Sequence, residues 1–125
     1  MKAKEIEKAC NSLVFIKQKR FPIKMNLILG RNIKKLDEAN KDIQEQRDAL
    51  IERYCERDEK NNPVYENGRI RLANMAFWDE EKELKDTDIA IDLEKISMDD
   101  IERCDEDKFD SLTVEELSAL ECMIE

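Results

Sequence analysis

From Ile23 to Glu59 nothing in the chain breaks a helix except Gly30, which a helix tolerates at a cost of roughly 1 kcal/mol. A continuous helix over that stretch would be about 55 Å long at ~1.5 Å per residue, while a compact chain of this size has a radius of gyration of about 14 Å. Such a helix must project, bend at Gly30 or find a partner. Pro22 suits its first position, because the fixed φ of proline fits a helix start and its missing N–H is not needed there. The opening segment, "IKMNLILG", is apolar on several faces, with Ile23, Met25, Leu27, Ile28 and Leu29 assigned to the core. Further on, Leu36, Ile43 and Leu50 fall seven apart, with Ile33, Asn40, Arg47 and Tyr54 in the alternating position. That seam is coiled-coil-like with polar interruptions that can set a register, either between chains or against a helix of the same chain.

Composition agrees with long regular elements. In 125 residues there are two Gly and two Pro, and 41% hydrophobic residues stand against 42% charged, which favours an elongated, surface-rich protein over a compact enzyme. The expected organisation is one elongated domain: a basic helical part over 1–59, a hairpin over 60–73, and an acidic helix–strand–helix–helix part over 74–125. The fold class expected is α+β, mainly α: a long helical arm with a short β-hairpin, a small antiparallel sheet and two short C-terminal helices.

Before the long helix, Ile6, Ala9, Cys10 and Leu13 recur at three and four within Lys4 to Phe15, which predicts a short amphipathic helix. After it, "PVY" and "RIRL" flank "ENG", where Asn67 and Gly68 suit the positive φ angles of a two-residue turn. The hairpin reverses the chain. A helix from about Met75 to Lys85, started by Asn74, then offers Met75, Phe77, Trp78 and Leu84 for burial as the returning partner. "TDIAIDLEKI" alternates Ile89, Ile91 and Leu93 against Asp88, Ala90, Asp92 and Glu94. This predicts a half-buried strand, paired with the hairpin or with the same strand of another subunit. Two helix starts follow. Ser97 caps with Asp100 three residues on, stapled by Ile96 and Ile101; Thr113 and Glu116 form a capping box, stapled by Leu112 and Leu117. The closing helix is expected to bury Val114, Leu117, Leu120 and Ile124, with Met123 nearby.

Charge is unevenly divided. Within a net charge of −9, residues 1–36 hold ten Lys/Arg and two Asp/Glu, a net of +8, and residues 79–125 hold five and nineteen, a net of −14. The two ends either neutralise each other, within or between subunits, or serve separate partners.

These residues resemble a family. "FPIKMNLILGRNIKKLDE", "DEKNNPVYENGRIR", "IAIDLEKISMDDIE" and "LTVEELSALECMIE" are similar, in order over about residues 19–125, to small, mostly uncharacterised phage and prophage proteins of Gram-positive bacteria. In that class a Pro-initiated Lys-rich helix leads to a "DENGNPV" hairpin, an "IDIxKIxLDDL" strand and turn, and a closing "LTPxELxALxFMI" helix. This chain departs from it at Val114, where the class has Pro, and at Cys122, where it has an aromatic residue; the segment after the hairpin is short. The resemblance implies an origin rather than a mechanism.

No catalytic constellation stands out. There is no histidine, no Gly-rich phosphate loop, no GxSxG and no Cys–His arrangement, so an enzyme and a cofactor are not expected. Cys10, Cys55, Cys104 and Cys122 are widely spaced, which argues against zinc and for reduced thiols. "DEDKFDSLTVEE" places Asp105, Asp107 and Glu116 at three positions of a calcium loop. Phe109 cannot supply the fifth ligand by its side chain and Asp110 replaces the turn glycine, so no metal is expected. "MKAKEIEKACNSLVFIK" interrupts its apolar residues with charges, unlike a signal peptide, and no run approaches the ~18 apolar residues of a membrane span. A cytoplasmic location, in the host if phage-encoded, follows as the expectation, without membrane or nucleic-acid partners.

The expected function is a non-enzymatic interaction protein that binds a phage structural protein or a host defence protein and self-associates. Its candidate contacts are Tyr65, Arg69 and Arg71 at the hairpin tip and the basic group Lys17, Lys19, Arg20 and Lys24. Two competing readings remain: an oligomer whose basic, apolar-walled cleft sequesters an anionic nucleotide signal, and an acidic DNA mimic that blocks a host nuclease.

Overall fold

The computed structural model describes residues 1–72 and 75–124. It is mainly helical with a two-stranded antiparallel sheet, and the fold class is α+β as the pattern predicts. The expected Asn74 cap lies outside the described residues.

Helix α1 (Ala3–Leu13) buries Ala3, Ile6, Ala9, Cys10 and Leu13 along one stripe. Glu5 caps it by accepting from the Lys2 backbone N–H at 3.0 Å. It ends two residues earlier than the spacing suggests, because a tight 3₁₀ turn over Ile16–Gln18 follows and drives Ile16 into the core. Helix α2 (Ile23–Tyr54) starts one residue after Pro22, whose carbonyl accepts from Asn26 N–H at 3.0 Å. It runs unbroken through Gly30. Met25, Ile28, Leu29, Asn32, Ile33, Leu36 and Ile43 are its buried residues. Ile23 and Leu27 are not core: at ~100° per residue they point away from that face, and they are 79% and 56% exposed.

The helix ends at Tyr54, five residues before Glu59, because the next residues are drawn into backbone pairing. Glu56 N–H donates to Arg71 O at 2.7 Å, and Val64 N–H donates to Glu56 O at 2.8 Å. A turn at Asp58 makes this possible: its carboxylate accepts from the N–H groups of Lys60 (2.9 Å) and Asn62 (3.0 Å), and Asn61 takes a positive φ of 63°. Strands β1 (Tyr65–Glu66) and β2 (Arg69–Ile70) then form the expected hairpin, with Tyr65 opposite Ile70 and Glu66 opposite Arg69. Asn67 (φ 53°) and Gly68 (φ 77°) make its turn.

Helix α3 (Ala76–Asp86) returns along the C-terminal half of α2. Phe77 is buried, edge-on to Tyr54 at 6.4 Å and to Trp78 at 5.1 Å. Met75 and Trp78 are exposed rather than buried, because only one side of this short helix faces α2. The α2 seam is therefore closed within the chain, by α1 on its first half and α3 on its second. Arg47 joins all three helices through Gln44 (3.1 Å), Glu7 and, at 3.7 Å, Glu81.

Residues 88–96 are extended, with Ile89, Ile91 and Leu93 half-buried and their neighbours exposed, but among the described residues they form no strand with the hairpin. Asn32 takes the place of a neighbouring strand. Its fully buried side-chain amide accepts from Glu94 N–H at 2.9 Å and donates to Glu94 O at 2.9 Å. Lys35 donates to Asp92 O at 2.6 Å, and Arg31 pairs with Glu94 at 2.7 Å. A strap so held needs no sheet.

Helix α4 (Met98–Arg103) is capped by Ser97 Oγ accepting from Asp100 N–H at 3.2 Å. Helix α5 (Val114–Leu120) opens with the expected capping box, Thr113 Oγ1 accepting from Glu116 N–H (3.2 Å) and Glu116 accepting from Thr113 N–H (2.9 Å). Leu120 and Met123 are fully buried, but Val114 is 80% exposed, since the first turn of α5 overhangs the core. The chain then runs back beside the strap, where Ile96 N–H donates to Met123 O at 2.6 Å. Basic and acidic parts meet within one chain: Lys4–Asp86 (3.2 Å), Arg31–Glu94 (2.7 Å) and Lys19–Glu116 (2.5 Å).

Candidate functional site

The far end of α2, the hairpin and the start of α3 enclose an open cleft of about 830 Å³. Its apolar wall is Ile51, Ile70, Leu72, Phe77 and Trp78. Arg47, Arg69 and Arg71 supply cations, and Glu66 and Glu81 supply anions. The hairpin positions Arg69 and Arg71 because its turn fixes the register, so the side chains on the returning strand cannot slip.

The three guanidinium groups differ in state. Arg71 Nε lies 3.0 Å from Glu56 and 3.7 Å from Glu66, and Arg47 is engaged by Glu7 and faces Glu81. Arg69 is exposed and has no ion pair among the described residues. Trp78 is 55% exposed at the cleft wall. Tyr65 is also exposed but lies outside the lining. Below the cleft, the Glu80 carboxylate pushes the Tyr54 hydroxyl above its ordinary value by accepting its hydrogen bond, with Arg53 acting in the opposite sense.

The basic group predicted from sequence is elsewhere. Lys17, Lys19, Arg20 and Lys24 lie at the start of α2, a helix of 32 residues or about 48 Å from the hairpin at ~1.5 Å per residue, so the two sets form no single surface. Lys19 is structural: it donates to Ser111 O (2.9 Å) and Glu116 (2.5 Å). Burial alone would raise the Glu116 carboxyl, but hydrogen bonds from Lys19 and Thr113 outweigh it and hold the group below its ordinary value. Lys17 pairs with Asp37 at 3.3 Å, and the Arg20 backbone exchanges hydrogen bonds with Asp110. Lys24 is exposed and has no ion pair among the described residues.

Three of the thiols are held in their neutral form. Burial, with Asp37 beside it, pushes Cys10 up to about 11, and burial also raises Cys104 and Cys122. Among the described residues no three His, Cys, Asp or Glu side chains are grouped to hold a metal ion, and Glu116 is turned to Lys19 and the α5 cap. No described helix is long and apolar enough to cross a membrane.

Ile51, Ile70, Leu72 and Trp78 were not evident as cleft residues in the sequence. Trp78 read as core, and the only signal for the others was apolar type near a predicted reversal. Comparisons with protein families, curated proteins and solved structures found no match.

Proposed function

We propose that this chain is a non-enzymatic phage or prophage protein that works by binding another protein at the distal cleft, in virion assembly or in blocking a host defence system. One observation carries the reading: a half-exposed Trp78 and an Arg69 without an ion pair among the described residues share an apolar-walled cleft. Tryptophan, tyrosine and arginine are the residues that most often dominate protein–protein binding energy, the first two through large apolar area and the last through directed hydrogen bonds. The phage origin and the two biological settings rest on the sequence resemblance.

The cleft also suits the nucleotide reading in its size and its arginines. Against that reading, Arg71 and Arg47 already have carboxylate partners, and Glu66 and Glu81 would repel an anion entering beside them. A protein partner that places an apolar side chain on Trp78 and a carboxylate on Arg69 leaves those pairs intact. For a DNA mimic, Asp86, Glu94 and Glu116 are poor candidates, since each is paired with a cation of its own chain.

The test is affinity capture of the tagged chain from phage-infected cells at moderate salt, beside Arg69→Glu and Trp78→Ala, with native mass spectrometry of the eluates. A phage structural or host defence protein held by the wild type and lost from both variants is the expected result. A homo-oligomer carrying only a nucleotide-sized mass would replace this reading with sequestration.

A further inference from the structure

The first turns of α2 carry apolar side chains on the side away from the core. Ile23, Leu27, Gly30 and Lys34 form one ridge at helical spacing, opposite the face that buries Met25, Asn32 and Leu36. Ile23 and Leu27 stay largely exposed among the described residues. Gly30, on the same ridge, lies inside a regular helix, and a Cβ built there meets no atom within 4 Å beyond its chain neighbours and its own helix backbone. The fold thus has no steric need for glycine at a position where alanine would make a better helix. A glycine beside uncovered aliphatic side chains is the arrangement that lets a second backbone approach closely.

The charges beside the ridge select what approaches. Lys24 and Glu38 lie on the same flank of α2, both exposed and neither ion-paired among the described residues. They are equally spaced about Arg31, next to Gly30. When two such helices pack antiparallel with a two-fold axis at that point, Lys24 of each faces Glu38 of the other. Leu27 then lies against the aliphatic stem of the other copy's Lys34. Arg31 reaches the axis already neutralised by Glu94 at 2.7 Å. A generic acidic helix would satisfy Lys24 but oppose Glu38, whereas a second copy satisfies both.

We propose that this face seats a second copy of the chain, α2 against α2, in an isologous two-fold dimer centred beside Gly30. The surface is separate from the distal cleft, so either can fail without the other.

Sedimentation equilibrium of the full chain tests it. The wild type is expected to dimerise. Gly30→Leu fills the contact point and leaves a monomer with unchanged circular dichroism. Gly30→Ala loosens the dimer while raising the Tm of the dilute, monomeric protein, opposite effects that a purely structural glycine would not produce. Lys24→Glu weakens the dimer about tenfold, and Lys24→Glu with Glu38→Lys restores it. Arg69→Glu and Trp78→Ala leave it intact. A wild type monomeric at every concentration, a dimer that survives Gly30→Leu, or a charge swap that fails to restore association would each overturn the proposal.

Discussion

The two halves of α2 meet different surroundings. As far as Ile43 the helix buries a residue on nearly every turn, against α1, the 88–96 strap, α4 and the end of the chain, and the fully buried Ile6, Leu13, Met25, Leu36, Ile96, Leu120 and Met123 belong to that half. From Gln44 to Tyr54 it buries none, and beyond it Cys55 and Phe77 are the buried apolar residues among those described at the distal end. What holds that end is backbone pairing around the hairpin, the edge-on contacts of Phe77 with Tyr54 and Trp78, and ion pairs such as Arg53–Glu80 at 3.8 Å. Exposed ion pairs contribute about 0–1 kcal/mol each, far less than a buried side chain. Local opening follows the number of buried apolar contacts, so the distal end should open without the base, and binding surfaces are commonly drawn from such segments.

The largest expected effect is in the base. Leu36→Ala removes a fully buried side chain at the centre of the core and should cost about 3–4 kcal/mol in urea unfolding, felt throughout the molecule. Next comes Asn32→Ala, which leaves the Glu94 N–H and C=O without partners and should cost about 3 kcal/mol. If Asn32→Ala were neutral, the strap would be held by something other than that amide. Phe77→Ala is expected to cost about 3 kcal/mol, the low end for a buried phenylalanine because few side chains surround it, and to raise hydrogen exchange in 55–72 and 76–86 while leaving α1 unchanged. Equal loosening of both regions would erase the distinction between them.

Smaller changes sharpen it. Gly68→Ala forces a Cβ into a left-handed conformation (φ 77°) and should cost about 1 kcal/mol, confined to the hairpin. Smallest is the pH response of Lys19–Glu116. Because the folded-state value of Glu116 lies below its ordinary 4.5, its contribution is complete above that pH and is lost as pH falls through the lowered value. Glu116→Gln should therefore flatten the acid limb of the stability curve, and an unchanged limb would mean that the pair contributes nothing.

What could be read from the chain, and what could not, follows from the range over which each signal acts. The Asn67–Gly68 turn, the Ser97 cap and the Thr113–Glu116 box were legible because each is decided within four residues. The alternation in 88–96 correctly marked which side chains face inward, but alternation says nothing of what satisfies the backbone. The answer was a buried amide sixty-two positions away. The end of α2 was overrun because Cys55–Arg57 contain no breaker, and only their pairing with 63–64 and 71–72 stops the helix. Ile23, Leu27, Trp78 and Val114 were assigned to the core by type, whereas their exposure depends on where neighbouring helices end. The distal cleft is hard to see for the same reason: it gathers Ile51, Ile70 and Trp78 from three elements.

Native-state hydrogen exchange across a urea series distinguishes a well-packed base from a lightly held distal end. Amides in the last turns of α2, the hairpin and α3 are expected to exchange through an opening of lower free energy than those of α1 and the first half of α2, whose protection approaches global stability. One common free energy and one denaturant dependence across both sets of amides would contradict that expectation.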